Sequence, residues 1–184
     1  MSTTFPGTTI EVKALEKGSS KLLFDGIFAT GGITLSQISV MTGLEPYLIQ
    51  NWVKRGFVTS PKKRVYSREQ FARIIIINML REALQIDRIC GLIRIIGGVL
   101  DDPDDDLIGD DELYHKYVDM LASGELDMTD KETVRQAAED AILDFEERRP
   151  DTKKQLVKIL QVMLYAHAAS ELRKSAEDIL ATLE

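Results

Sequence analysis

Apolar residues recur at helical spacing in several separate segments of the chain, and this pattern predicts a mainly helical protein. The first clear helix opens at Thr34, a good N-cap, and ends at Gly43. A second helix opens at Pro46 and ends at Gly56. Two short helices that meet across a glycine-containing turn are typical of a helix-turn-helix.

The segment after these helices combines apolar ends with a basic centre. Residues 57–66 are short enough for a small β-wing. Ser67 and Gln70 form a capping box that predicts the start of a long helix over about 68–84, and a further helix is expected over about 87–98.

The C-terminal half predicts three more helices. One covers about 111–123, a second opens with a capping box of Thr129 and Glu132, and the last covers about 151–183. The last helix carries apolar residues at helical spacing, which we read as one stripe that needs a partner surface: Leu156, Ile159, Leu160, Met163, Leu164, Leu172, Ala176, Ile179 and Leu183.

These elements predict an all-α fold with one small β-wing, in which a winged helix-turn-helix is followed by a C-terminal helical bundle. We expect an N-terminal arm and short helix over 1–32, with residues 1–20 mobile. The DNA-binding domain is expected over 33–98. An acidic linker over 99–110 and a helical dimerisation or regulatory region over 111–184 complete the prediction.

Charge is distributed unevenly along the chain. The whole chain has a formal net charge of -7, which argues against a nucleic-acid ligand. The segment 34–73, however, has seven basic and two acidic residues, a net charge of +5, and the segment 101–112 has eight acidic and no basic ones. A basic segment within an acidic protein is the charge pattern of a local nucleic-acid site.

Four segments of the chain resemble the DNA-binding domain of the MerR family, at residues 33–44, 46–58, 64–71 and 84–89. The resemblance implies a winged helix-turn-helix that binds DNA. This chain has Gln50 and Asn51 where that family usually has an arginine and an aromatic residue. The acidic segment also stands where the family's dimerising coiled coil is expected. The segments 49–56, 72–80 and 100–114 are similar to a bacterial family of unknown function that is usually described as MerR-like.

The outer side of the second helix is the predicted reading surface. Gln50 and Asn51 are residue types that form bidentate hydrogen bonds with adenine in the major groove, and solvated helix positions are the alternative interpretation. Basic side chains at the helix end and on the wing are expected to neutralise phosphates. The predicted DNA-binding residues are Thr34, Tyr47, Gln50, Asn51, Lys54, Arg55, Lys62, Lys63, Arg64, Tyr66 and Arg68.

Other kinds of site find little support in the sequence. Cys90 lies among apolar neighbours and predicts a buried thiol, although some MerR relatives sense through cysteine. His115 and His167 have no ligand at zinc spacing, and Leu107 stands where a calcium loop needs glycine. We find no catalytic set and expect neither an enzyme nor a cofactor.

The expected partners are double-stranded DNA and a second copy of the chain, because helix-turn-helix proteins mostly bind as two-fold dimers. No apolar run approaches the roughly 20 residues of a membrane span and no secretory leader is recognised, so we expect a cytoplasmic protein. A small-molecule effector is unknown. The alternative is a protein-interaction adaptor that has the winged fold and does not bind DNA.

Overall fold

The computed structural model describes residues 3–97, 106–124, 126–147 and 149–183. Within these residues the chain is mostly helical, with two small antiparallel sheets. The helices are α1 (Ser19–Ile27), α2 (Leu35–Thr42), α3 (Pro46–Lys54), α4 (Arg68–Leu80), α5 (Ile86–Gly97), α6 (Asp110–Ala122), α7 (Lys131–Asp140) and α8 (Thr152–Ala181), and the strands are β1 (Thr3–Thr4), β2 (Glu11–Val12), β3 (Ile33–Thr34) and β4 (Val65–Tyr66).

Helix α4 lies at the centre of the core. Its residues Ile74, Ile75, Ile76 and Ile77 are all buried although they are consecutive, so the helix is covered on every side. Helices α2, α6 and α8 pack against it, α1 packs against α6, and α7 packs against α8. The elements before and after the acidic segment therefore share one hydrophobic core.

The N-terminal segment is ordered, and the expectation of a mobile arm is wrong for the residues described. Strands β1 and β2 pair antiparallel, with Thr3 opposite Val12. The Tyr114 hydroxyl donates a 2.9 Å hydrogen bond to the Pro6 carbonyl oxygen, and the Thr9 amide donates one of 2.8 Å to Met41. This hairpin thus covers the junction of α2, α4 and α6.

Helix boundaries follow the capping residues. The predicted capping boxes at Thr34 with Gln37 and at Ser67 with Gln70 are both formed. The box predicted at Thr129 is wrong: Asp130 is the N-cap of α7, and its carboxylate accepts the Glu132 amide. The Thr129 hydroxyl instead donates to Asp127.

The apolar stripe predicted for the last helix is in fact two faces. Leu156, Ile159, Leu160, Met163 and Leu164 are buried in the core. The remaining members of the predicted stripe lie on the other side of α8 and are exposed: Leu172, Ala176, Ile179 and Leu183. Residues 99–105 of the predicted acidic linker, 99–110, lie outside the described residues. Residues 106–110 are described, and α6 already begins at Asp110.

Candidate nucleic-acid interface

Helices α2 and α3 are short because residues that start or end a helix stand close together in this part of the chain. The Thr34 side chain accepts the Gln37 amide at the start of α2, and Gly43 ends the helix with a left-handed φ of 69°. Three residues later Pro46 begins α3. On the inner side of α3, Ile49 and Trp52 are buried, which fixes the rotation of the helix about its axis.

That rotation turns a polar face of α3 outward. Tyr47, Gln50, Asn51 and Lys54 are all exposed. They occupy positions i, i+3, i+4 and i+7, which form one continuous side of a helix. The structure thus brings together four of the residues that the sequence predicts for DNA reading, and it leaves their functional groups accessible.

A tight hairpin follows α3 and displays three basic residues. The Val65 amide donates a 3.0 Å hydrogen bond to the Lys62 carbonyl oxygen, and the two residues between them turn the chain. Lys63 and Arg64 both have positive φ, 52° and 66°. This is the backbone of a type I′ turn, whose two central positions favour glycine or asparagine. Two adjacent basic residues therefore hold a conformation that costs each of them free energy.

Pairing between β3 and β4 places the hairpin beside the start of α2. Thr34 lies opposite Val65, and Ile33 lies opposite Tyr66. The loop before the hairpin is held by Gln70, whose Nε2 donates hydrogen bonds of 2.9 Å to the Thr59 carbonyl oxygen and to its hydroxyl. The hairpin tip is thus mounted on α4 and on the N-terminus of α2.

Two predicted contact residues are bound within the protein. Tyr66 is only 3% exposed and packs beneath the hairpin, and burial raises the pKa of its hydroxyl, so little of its surface is accessible for the predicted contact. Arg68 pairs with Asp25, lies 3.7 Å from Asp111 and covers the Phe24 ring. Its guanidinium links α4 to α1 and α6, so these internal ion pairs compete with the predicted DNA contact.

The remaining basic residues are available to an anionic ligand. Lys54, Lys62, Lys63 and Arg64 are exposed and form no ion pair with any described residue. Arg55 stacks over Phe57 at 4.6 Å and lies 3.8 Å from Asp87, an exposed pair that is weak in water.

Other candidate sites are weak in the part of the chain that the structure describes. Cys90 is buried, and burial raises the pKa of its thiol, which disfavours the reactive thiolate. No cluster of three or more metal-ligating side chains occurs among the described residues. The same residues contain no helix long and apolar enough to cross a membrane.

The sequence did not reveal the left-handed turn at Lys63 and Arg64, because neither residue type favours it. Nor did it show that Glu69 of α4 accepts the Asp110 amide at 2.8 Å and so caps α6. The basic residues between two apolar pairs indicated a small wing over 57–66, but Val65 and Tyr66 pair with Thr34 and Ile33 of β3, and within 57–66 the hairpin is limited to the bridge between Lys62 and Val65.

The described fold is therefore a helical protein with two short helices and a basic hairpin mounted on a central buried helix. The chain belongs to the family described as domain of unknown function (DUF1836), whose model matches residues 23–117. This match begins within α1 and ends within α6, and thus includes the whole candidate interface. No curated protein and no solved structure matches the chain.

Proposed function

We propose that this protein is a sequence-specific DNA-binding regulator of transcription with a MerR-like winged helix-turn-helix. In this proposal α3 enters the major groove and the hairpin at 62–65 contacts the phosphate backbone. The observation that carries the proposal is the exposed polar face of α3 beside unpaired basic side chains on a left-handed hairpin tip. A regulator of this kind acts in the cytoplasm.

Base recognition is assigned to the centre of α3. The exposed amides of Gln50 and Asn51 each offer one donor and one acceptor, the pair that matches N7 and N6 of adenine. A good bidentate contact discriminates by about 1–3 kcal/mol against the wrong base. Trp52 and Ile49 hold the helix from the inner side, so these amides are presented on a rigid element.

Phosphate binding is assigned to the four unpaired basic residues, Lys54, Lys62, Lys63 and Arg64. The left-handed backbone of Lys63 and Arg64 supports this role, because backbone strain of about 1–3 kcal/mol per residue is characteristically found at functional sites. If about four phosphates are neutralised, the logarithm of affinity falls with the logarithm of salt concentration at a slope of about -3.6.

The outer side of α8 supports a homodimer. From residue 162 onward, apolar residues alternate at spacings of three and four, which is the heptad pattern of a coiled coil: Val162, Tyr165, Ala169, Leu172, Ala176, Ile179 and Leu183. Leu172 and Leu183 are 73% and 78% exposed. On one flank of this stripe Ala168, Ser175 and Thr182 are small and uncharged, and on the other flank the charge of Arg173 is paired with Glu82 and Glu177, so two such helices can approach closely. We take a second copy of α8 as the partner.

The experiment is selection of bound DNA from a random duplex pool, followed by titration of the selected site at about 50 and about 200 mM salt. We expect Lys63→Glu to weaken binding to all sequences alike and Asn51→Ala to relax base preference. Lys131→Glu, an exposed position on α7, is the matched control.

Failure of the wild-type chain to bind the pool at the lower salt concentration contradicts the proposal. The net charge of -7 and the 59% exposed Tyr47 on α3 favour a second function in that case, a protein-interaction adaptor. If Asn51→Ala and Lys63→Glu both bind DNA with the affinity and base preference of the wild type, the assigned site is refuted.

A further inference from the structure

A polar cleft lies between the N-terminal hairpin, the C-terminal end of α4 and the middle of α8. Its volume is about 450 Å³, within the range of small-molecule sites. Thr3 and Thr8 line it from the hairpin and Arg81 lines it from the end of α4. The third wall is α8, and the cleft is remote in sequence from α3.

The face of α8 that lines the cleft changes from apolar to polar along the helix. The inward face is apolar and buried at Leu156, Leu160 and Met163. At the next turns the same face presents only polar residues, His167, Ser170, Glu171 and Lys174, at positions i, i+3, i+4 and i+7. The heptad stripe lies on roughly the opposite side of α8, since each residue advances the helix by about 100°.

These polar groups have no partner among the described residues. The Ser170 hydroxyl is buried without a hydrogen bond. His167 forms no hydrogen bond with a described residue and packs edge-on against the Tyr117 ring, and burial lowers the pKa of its imidazole, which favours the neutral form. Glu171 and Lys174 form no ion pair with a described residue. A buried polar group without a partner is costly, so such groups are rare unless a ligand or water satisfies them.

On the opposite wall the side chain of Asn78 is held by internal hydrogen bonds. Nδ2 of Asn78 donates to the carbonyl oxygens of Gly7 at 3.0 Å and Thr42 at 3.1 Å, and its Oδ1 accepts Nε of Arg81 at 2.9 Å. The cleft is therefore asymmetric: one wall is fixed by internal hydrogen bonds, and the other offers one anion, one cation and two neutral polar groups.

We propose that this cleft binds a small zwitterion, a free α-amino acid, whose ammonium group meets Glu171 and whose carboxylate meets Lys174. Ser170 and neutral His167 supply the uncharged hydrogen bonds. The bound molecule would lie between α8 and the wall that contains Asn78, which is bonded to the last residue of α2, Thr42. The site thus joins the C-terminal helix to the two-helix unit, and it requires no assumption about DNA.

The test is calorimetric titration and thermal unfolding of the full chain with each common α-amino acid. Methylamine and acetate, each carrying one of the two charges, are the half-ligand probes. We expect at least one amino acid to raise the midpoint of unfolding and both half-ligands to leave it unchanged. Glu171→Gln and Lys174→Gln should each weaken binding about tenfold or more, since each removes one charge-assisted hydrogen bond.

Glu146→Gln and Lys131→Gln remove the same charges from exposed positions elsewhere and should bind like the wild type. Glu171 and Lys174 are exposed, so their substitution leaves the fold intact, which circular dichroism checks. The proposal is overturned if no amino acid binds, if acetate alone binds equally well, or if both cleft variants keep full affinity. These results are independent of whether the protein binds DNA.

Discussion

Nε of Arg73 donates a 2.7 Å hydrogen bond to Oδ2 of Asp110, and both side chains are buried. The pair ties the central helix α4 to the N-terminus of α6. Burial raises the pKa of the Asp110 carboxyl to about 6, while the Arg73 guanidinium opposes this shift. The second carboxylate oxygen of Asp110 is buried without a hydrogen bond, so Arg73 is the main compensation for this charge.

Removing one member of this pair should therefore be costly. We expect Arg73→Met to lower the free energy of unfolding by about 3–5 kcal/mol, because an unpaired carboxylate remains in the core. Arg135→Met breaks the exposed pairs with Glu132 and Glu139 and should cost less than about 1 kcal/mol. Urea unfolding at neutral pH measures both, and equal losses in the two variants would contradict the role assigned to Arg73.

The left-handed hairpin tip predicts a trade-off between stability and DNA affinity. Arg64→Gly should stabilise the protein by about 1 kcal/mol, since glycine adopts a φ of 66° without steric cost, and should weaken DNA binding. Lys62→Gly removes an equal charge where φ is not positive, so it should weaken binding without stabilising. Thermal unfolding and DNA titration of both variants test this, and a destabilised Arg64→Gly protein would count against strain at the tip.

The exposed stripe of α8 predicts a charge-sensitive dimer. Leu172→Glu and Ile179→Glu should convert the protein to a monomer, because each places a desolvated carboxylate in the heptad seam. Leu143→Glu changes an equally exposed leucine outside the stripe and should leave the dimer intact. Sedimentation equilibrium gives the association state. A wild-type chain that is monomeric at all concentrations would remove this part of the proposed function.

The two histidines of the chain predict acid sensitivity. Burial lowers the pKa of both His115 and His167 below 6.5, so the folded protein favours their neutral forms. The contribution of the two neutral histidines to the free energy of unfolding is therefore fully present above pH 6.5. It is lost as the pH falls below 6.5, by up to about 1.4 kcal/mol per pH unit for each histidine. Asp110 has a raised pKa of about 6, so its contribution to the free energy of unfolding increases as the pH falls from about 6 toward the ordinary pKa of 3.8.

The contribution of each histidine is isolated by comparison with a variant. His115→Gln and His167→Gln should each lose stability less steeply than the wild type between pH 6.5 and 5.5, and Asp110 cancels in that difference. Urea unfolding across this range provides the slopes. Parallel slopes in wild type and both variants would show that neither imidazole titrates abnormally.

Local signals carried the prediction where they were strong. The capping boxes at Thr34 and Ser67 placed the starts of α2 and α4 because a hydroxyl three residues before a glutamine satisfies amides within one turn. The outward face of α3 followed from its buried Ile49 and Trp52. These features depend on neighbours in sequence, and periodicity reads them directly.

Features that depend on distant partners were missed. The N-terminal hairpin is held by Tyr114, which is 108 positions from Pro6, and Arg68 is neutralised by Asp25 of α1. The exposed second half of α8 and the polar wall of the cleft appear only once it is known where the helix leaves the core. No short-range pattern specifies these contacts.

Because Ile74 to Ile77 are enclosed on every side, the segment predicted to bind DNA does not carry a complete core of its own. Excised at residues 33–98, it would leave α4 without α6 and α8 and expose isoleucine to water along a whole helical flank. Substitutions on the exposed faces of α3 and of the hairpin tip, by contrast, leave this shared core intact.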